Sequence, residues 1–317
     1  MDFTMTGKHI SYCRNNFEAL CATKTNISDI ALVTEGGGQR GIFTAGVLDA
    51  FLEHEFNPFS LLIGTSAGSL NLASYICEQK KHAYRVITEI TTKKKFFSYT
   101  KLFSNRGGMD LDWLLEQTQT TLKLDWETGR RNMKNKTVLA SASGIDHHQA
   151  GFFDLNSDSW DQRLKASCAI PVLNRQPIYT DDHYWVDGGL NAPIPAKEAY
   201  NRGFKNIVVI RTNPIGLNAN HEWLHKVKAS LSKTKAATLI DMLLLHEKSY
   251  SESEHFISNP PDDVNIYEIF PHKSLKSKLI GSDLRSLNHD YEHGKHMGMY
   301  FVRTMMSYCQ CSDCKIA

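Results

Sequence analysis

Leu61-Leu62-Ile63-Gly64-Thr65-Ser66-Ala67-Gly68-Ser69 decides how this chain reads. An apolar run from Leu61 to Ile63 enters a G-x-S-x-G pentapeptide, and a helix-compatible run from Ser69 to Gln79 leaves it. The pattern is strand, tight turn, helix. Such a turn sets the Ser66 hydroxyl at a strained, exposed corner, with the unpaired N–H groups of the next helix aimed at it. Gly64 and Gly68 suit positions where a side chain would crowd the turn or hold helix and strand apart. The same pentapeptide also occurs in ordinary βα turns, so its neighbours decide.

Upstream, Ile30 to Thr34 reads as a short buried strand, followed at once by Glu35-Gly36-Gly37-Gly38-Gln39-Arg40-Gly41. Ile42, Ala45, Val47, Leu48, Phe51 and Leu52 then make the apolar face of a helix. Consecutive glycines let backbone N–H groups converge on one point as an anion nest. Gly36-x-Gly38-x-x-Gly41 formally matches the dinucleotide fingerprint, which also asks for an acidic residue at the end of the second strand, about twenty residues on. That strand runs straight into Ser66, and Glu53 and Glu55 lie before it. Two successive strand ends, one with a nest and one with a serine, suit acyl transfer better. In a parallel sheet both loops leave the same edge. Arg40, with Gly41, either braces the loop or binds a substrate phosphate, and bracing is the preferred reading.

Downstream, Tyr184-Trp185-Val186-Asp187-Gly188-Gly189-Leu190 is a short strand ending in an aspartate and two glycines. Asp187 is either a plain Asp-Gly bend or the base for Ser66; a carboxylate serves as base only in direct contact with the hydroxyl, in a partly desolvated site. Between the two anchors, Lys136–Ala142 and Gly151–Leu155 form a hairpin across the Asp146-His147-His148 loop. Trp160–Ala169 is helical and ends in the small-residue run Ala166-Ser167-Cys168-Ala169-Ile170-Pro171, where an apolar setting leaves Cys168 inert. The 69–90 and 109–122 stretches read as helices, the second with Asp110 as N-cap. Lys93-Lys94-Lys95-Phe96-Phe97-Ser98-Tyr99 reads as a solvated lysine run before core aromatics, with a patch for anionic lipid as the alternative. Ala196–Asn201 is a helix and Asn206–Arg211 a strand. This alternation describes an α/β fold of three layers, α/β/α, with a largely parallel central sheet.

With 317 residues, 41% hydrophobic and 22% charged, the chain has ample material for a core. A net charge of +2 gives no electrostatic footprint for nucleic acid. The cysteines number seven and are mostly scattered, as reduced thiols in a cytoplasmic protein are. No signal-like apolar segment opens the chain, and no apolar run of roughly 18 residues occurs. Residues 1–29 read as an N-terminal arm with a short helix over His9–Leu20, 30–215 as the catalytic domain, and 216–317 as a mostly helical extension or cap. That extension carries helices over 223–230, 236–256 and 284–306, and an edge strand over 263–270. Cys309, Cys311 and Cys314 lack a fourth ligand for structural zinc, so no metal is assigned.

Four blocks in order, Gly36-Gly37-Gly38-Gln39-Arg40-Gly41, Gly64-Thr65-Ser66-Ala67-Gly68, Ala166–Pro171 and Asp187-Gly188-Gly189, resemble the patatin-like phospholipase family, bacterial members included. The resemblance implies a Ser–Asp dyad without histidine: Ser66 as nucleophile, Asp187 as base, and Gly36, Gly37 and Gly38 as oxyanion hole. It implies serine acyl hydrolysis of lipid esters, with no cofactor and with peripheral contact to a membrane. The residues by themselves leave a triad open, since His289, His293 and His296 follow Asp187 in α/β-hydrolase order; the dyad is preferred. A non-catalytic module gripping a lipid or nucleotide phosphate in the glycine nest is the alternative from another class.

Overall fold

The computed structural model describes residues 8–12, 29–100, 107–146, 149–174, 176–214 and 235–313. Its strands are β1 (Lys8–Tyr12), β2 (Ile30–Thr34), β3 (Phe59–Thr65), β4 (Thr137–Gly144), β5 (Ala150–Asp154), β6 (Ile178–Thr180), β7 (His183–Asp187), β8 (Asn206–Ile210) and β9 (Asn265–Ile269). They form one sheet with neighbour order β1-β9-β8-β2-β3-β4-β7-β6, and β5 also pairs with β4. From β1 to β4 every pairing is parallel; β5, β6 and β7 are antiparallel additions.

The helices are α1 (Gly41–Glu53), α2 (Ala67–Ile76), α3 (His82–Arg85), α4 (Leu111–Gln119), α5 (Trp126–Asn132), α6 (Trp160–Ser167), α7 (Ala196–Asn201), α8 (Lys235–Ser258) and α9 (Leu284–Asp313). Alternate strand residues serve opposite faces of the sheet. Ile30, Leu32, Leu62 and Val208 join the core under α1, α2 and α9, whereas Ala31, Val33, Ile63 and Val209 join the core under α7 and α8. Both faces are covered, which is why these parallel strands are continuous apolar runs rather than alternating ones. The three-layer α/β/α fold read from the sequence is the fold observed. In the first core the Phe51 ring of α1 meets the Phe301 ring of α9 at 5.7 Å between centroids.

Four local expectations are corrected. Lys8–Tyr12 is a strand rather than the start of a helix, because β9 offers it a complete parallel ladder. The 263–270 strand is interior, with β8 on one side and β1 on the other. The 69–90 stretch breaks after α2, where Glu78 (φ 56°) and Lys81 (φ 60°) turn left-handed, and resumes as α3 followed by a π-helical turn over Val86–Ile90. In the 93–99 stretch Phe96 is buried, but Tyr99 is 68% exposed and so is not a core aromatic. Asp110 does cap its helix, accepting the Trp113 N–H at 3.0 Å. The His147-His148 pair, the 223–230 helix and Cys314 lie outside the described residues, as do the side chains of Cys309 and Cys311. No described helix is long and apolar enough to cross a membrane.

Candidate active site

The site forms where β2, β3 and β7 end around β4. Edge pairing explains how residues so distant in sequence meet. Along β4, residues Leu139 to Ser143 pair with β5. A strand has two edges, so the partners on the other edge are β3, facing Thr137 to Ser141, and β7, facing Ala142 to Gly144. The ends of β3 and β7 therefore meet head-on: Thr65 faces Ser141 and Asp187 faces Ala142. Ser66 leaves β3 at that junction. On the other side of β3, Thr34 pairs with Gly64, which brings the glycine loop level with Ser66. A Cβ on Gly36 would lie 3.3 Å from the Ser66 Cβ.

Ser66 has φ 53° and ψ −125°, a conformation that costs a residue with a side chain of order 1–3 kcal/mol. Its surroundings hold it there. The Ser66 N–H donates to Ser167 Oγ at 3.0 Å, and Ser69 Oγ donates to the Ser66 carbonyl at 2.6 Å. Helix α2 starts immediately behind it and sits tight on the glycine loop, since a Cβ on Gly68 would come within 2.7 Å of the carbonyls of Thr34 and Glu35. Thr65 Oγ1 donates to the Ala192 carbonyl at 2.7 Å and accepts from Ser141 Oγ at 2.6 Å, which ties β3 to β4 and to the loop after Asp187.

Asp187 is buried. Its N–H donates to the Ala169 carbonyl at 2.9 Å, and its Oδ1 accepts the Gly189 N–H at 2.8 Å. The second oxygen, Oδ2, is buried without a partner of full hydrogen-bond geometry among the described residues. Burial pushes the carboxyl up to about 6; the Ser66 hydroxyl, the Gly189 N–H and the charge of His246 pull the other way. A buried carboxylate with an unfilled acceptor site beside a serine hydroxyl is equipped to take a proton. Burial, with the Asp187 charge second, pushes the neighbouring Cys168 thiol far up, so Cys168 is inert as read.

In the glycine loop, Gly37 (φ 149°) and Gly38 (φ 57°) have backbones that a side chain resists. Their N–H groups donate to no other described residue, while the next donors are used: Gln39 N–H by the Leu279 carbonyl at 2.9 Å and Arg40 N–H by the Gly37 carbonyl at 3.1 Å. Two free donors beside Ser66 can hold an oxyanion. Arg40 forms no ion pair with another described residue, and its buried Nε is unpartnered. Glu35, at the foot of the loop, is buried and heavily bonded. It accepts the Thr212 N–H at 2.5 Å, Asn213 Nδ2 at 2.8 Å and the Tyr250 hydroxyl at 2.9 Å.

From Ser66 an almost wholly apolar cavity of about 70 Å³ follows helix α2. Ala67, Leu70, Asn71 and Ser74 line it at helical spacing, over roughly 10 Å of helix. Facing them are Val86, Ile87, Phe96, Leu111 and Leu114. The polar groups near His82 are paired with one another. His82 Nε2 donates to the Leu122 carbonyl at 2.8 Å, and its Nδ1 accepts from Ser74 Oγ at 2.8 Å. Burial lowers the His82 pKa, consistent with a neutral ring. The cavity thus suits an apolar occupant.

Sequence reading missed the contribution of α8. His246, Tyr250 and Glu254 recur every fourth residue, on one face of that helix. His246 Nδ1 donates to the Gly189 carbonyl at 2.6 Å, Tyr250 reaches Glu35, and Glu254 accepts from Arg211 at 2.5 Å. The spacing was visible in the sequence; the target of the stripe was not. The three histidines of the triad alternative sit elsewhere. His289 pairs with Asp290, and His293 packs on Phe43 and His272. No hydrogen bond or ring contact among the described residues carries His289, His293 or His296 to Ser66 or Asp187.

Residues 32–200 match the family model described as patatin-like phospholipase, and residues 236–310 match a domain of unknown function, DUF6363. The chain is 37% identical over 300 residues to "Uncharacterized protein YjjU" of Escherichia coli (strain K12), covering 94% of this chain and 84% of that protein. It is 27% identical over 221 residues to "Lysophospholipase NTE1" of Meyerozyma guilliermondii, covering 65% of this chain but 14% of that far longer protein. Among solved structures, VipD from Legionella pneumophila aligns with a TM-score of 0.47 at 13% identity, over 89% of this chain and 67% of that one.

Proposed function

The chain belongs to the patatin-like phospholipase family, a family of lipid hydrolases, and on that premise we propose that it is a serine acyl hydrolase acting on lipid esters through a Ser66–Asp187 dyad. The observation that carries this reading is the head-on meeting of β3 and β7, which sets a strained serine beside a buried carboxylate raised to about 6. Ser66 Oγ attacks the ester carbonyl carbon while Asp187 takes the hydroxyl proton. The carbonyl oxygen becomes an oxyanion received by N–H groups of the Gly36–Gly38 loop, each donor worth on the order of 3 kcal/mol. As the tetrahedral species collapses, the carbon–oxygen bond to the leaving alcohol breaks, and Asp187 returns the proton to that alcohol. Water, activated by the same carboxylate, then cleaves the acyl-enzyme and restores Ser66.

The cavity along α2 takes the acyl chain. Leu279, which lines the cavity, and Tyr99 are exposed, as is Leu284 five residues after Leu279, and Lys94, Lys276, Lys278 and Arg285, their neighbours in sequence, form no ion pair with other described residues. That composition suits peripheral contact with an anionic bilayer.

Labelling with a fluorophosphonate, with mass spectrometry to locate the adduct, tests the reading on wild type, Ser66→Ala and Asp187→Asn. The expected result is an adduct on Ser66, absent in Ser66→Ala and strongly reduced in Asp187→Asn. Undiminished labelling in Asp187→Asn would move the base elsewhere. No adduct on the folded protein, with or without micelles, would favour the phosphate-binding module.

A further inference from the structure

The 236–310 segment approaches the glycine loop and the Asp187 loop from outside the catalytic strands. Beyond the α8 stripe, it reaches the cavity itself. Leu279 and Ile280 line the same cavity as Ser66, Leu70 and Phe96. Leu279 is fixed to the glycine loop by backbone bonding, and Ile280 follows it. The Leu279 carbonyl takes the Gln39 N–H, and it lies so close to Gly38 that a Cβ there would collide with it. Gln39 is buried, and its side chain works as a clasp. Its Oε1 accepts the Ser282 N–H at 2.8 Å, while its Nε2 donates to Thr91 Oγ1 at 3.0 Å and to the Thr91 carbonyl at 3.2 Å. One side chain of the glycine loop therefore joins the 279–282 turn to the Thr91 turn across the cavity.

We propose that this C-terminal segment is the acyl-selecting element of the site: the Leu279–Ile280 wall, held in register by Gln39, sets the length and bulk of the acyl chain accepted beside Ser66. The proposal rests on the acyl-hydrolase reading above and adds to it the part that discriminates substrates. Physically, an apolar wall selects by the space it leaves. A methylene gained or lost against such a wall changes kcat/KM by about tenfold or more. Leu279 and Ile280 act through that space. Gln39 is a positioning residue, because its amide bonds only the two turns.

The test uses the full chain and p-nitrophenyl acetate, butyrate, octanoate and palmitate, the last in micelles. The readout is the ratio of kcat/KM between long and short esters. Ile280→Trp, which fills the cavity, is expected to lower the octanoate-to-acetate ratio by about tenfold. Ile280→Ala, which opens it, is expected to raise the palmitate-to-octanoate ratio, and Gln39→Ala to flatten the whole profile. A folding defect lowers all four esters together and cannot move these ratios in opposite directions. Ratios that stay at wild-type values in both Ile280 variants would overturn the proposal.

A second arm separates this failure from failure of the hydrolase reading. In Ser66→Ala, butyrate, octanoate and palmitate compete with a fluorescent fatty acid for the cavity. Ile280→Trp in that background should lower the affinity of palmitate relative to butyrate, even if no ester is turned over and Ser66 takes no label. An unchanged order of affinities would count against the wall whatever the chemistry at Ser66.

Discussion

Thr65 and Asp187 face consecutive residues, Ser141 and Ala142, along one edge of β4. This places the residue after Thr65 beside the carboxylate. Backbone hydrogen bonds of the sheet set the spacing, so the pair is fixed by rigid elements rather than by loops. The same junction explains Gly188, whose Cβ would collide with Ser141 as the chain turns away from β7.

The pH profile follows from the buried carboxylate. If Asp187 is the base of the proposed dyad, only its ionised form can accept the Ser66 proton, and kcat/KM should rise with pH through a midpoint of about 6 and level off above it. The charge of His246 lowers this pKa. His246→Gln removes that charge and should move the acid limb to higher pH by a fraction of a unit, leaving the plateau within about twofold. A limb that does not move would show that His246 serves only to hold the Gly189 carbonyl.

Asp187 also taxes stability at neutral pH. Its folded value of about 6 lies above the ordinary 3.8, so the folded state holds the proton more tightly than the unfolded one. The contribution of this group is complete below the unfolded pKa and is lost as pH rises through about 6. The loss amounts to about 3 kcal/mol. Asp187→Asn should therefore melt higher than wild type at pH 7 while losing activity, and the gain should shrink toward pH 4. Thermal melts at the two pH values check this. A variant that is less stable at both would mean that the asparagine loses contacts worth more than the buried charge costs.

The strain at Ser66 gives a separate test. Ser66→Ala keeps a side chain at φ 53°, ψ −125°, whereas Ser66→Gly does not. Glycine costs about 0.5–1 kcal/mol in the unfolded chain, against 1–3 kcal/mol of strain relieved. Both variants should lose hydrolysis under the proposed mechanism, and Ser66→Gly should be the more stable by about 1 kcal/mol in urea unfolding. Equal stabilities would mean the turn stores little strain.

Legibility divides along sequence distance. The serine turn, the glycine loop and the Asp-Gly-Gly bend are local patterns, and each could be read from a few neighbouring residues. What brings them together is pairing: β4 offers one edge to two strands, and no local signal reports that. The same limit hid β1, whose ladder partner β9 lies more than 250 residues away. The edge reading of β9 failed for the same reason, since only β1 covers it. Ser167 looked like a packing residue, yet its hydroxyl accepts the Ser66 N–H. His246, Tyr250 and Glu254 form a legible stripe, but a polar helix face usually meets solvent, and here it meets the site.

Arg211 is the arginine shared by Glu254 of the stripe and the buried acids Glu268 and Glu35, and His9 also reaches Glu268, at 2.7 Å. Arg211 is buried, bonded to Glu268 at 2.7 Å and to Glu254 at 2.5 Å, with its Nε 4.0 Å from Glu35. Removing one partner leaves buried charges uncompensated, at a cost of about 3–5 kcal/mol. Arg211→Met should lose that much in urea unfolding at pH 7 and recover part of it at lower pH, where the carboxylates take up protons. Glu254→Gln, which removes one acid and keeps a hydrogen-bonding side chain, should cost far less. Similar losses in both would mean that packing, rather than charge, dominates the cluster.

Contact with a bilayer is open to direct measurement, because the residues involved are not those of the chemistry. Tyr99, Leu279 and Leu284 are 68%, 40% and 55% exposed. Two observations place Leu279 and Tyr99 at the cavity mouth: Leu279 lines the cavity, and a Cβ on Gly281 would lie 3.4 Å from the Tyr99 hydroxyl. A lysine near an anionic membrane contributes about 1 kcal/mol, so Lys94→Ala with Lys278→Ala should weaken binding to vesicles containing phosphatidylglycerol by roughly thirtyfold. Leu284→Ser should weaken it through the apolar part, and high salt should weaken the wild type and Leu284→Ser in the same proportion. Sedimentation with vesicles reads the binding, and hydrolysis of a soluble short-chain ester should be the same in all of these variants. Equal sedimentation of wild type and the double lysine variant would remove Lys94 and Lys278 as the charges that hold this face to an anionic bilayer.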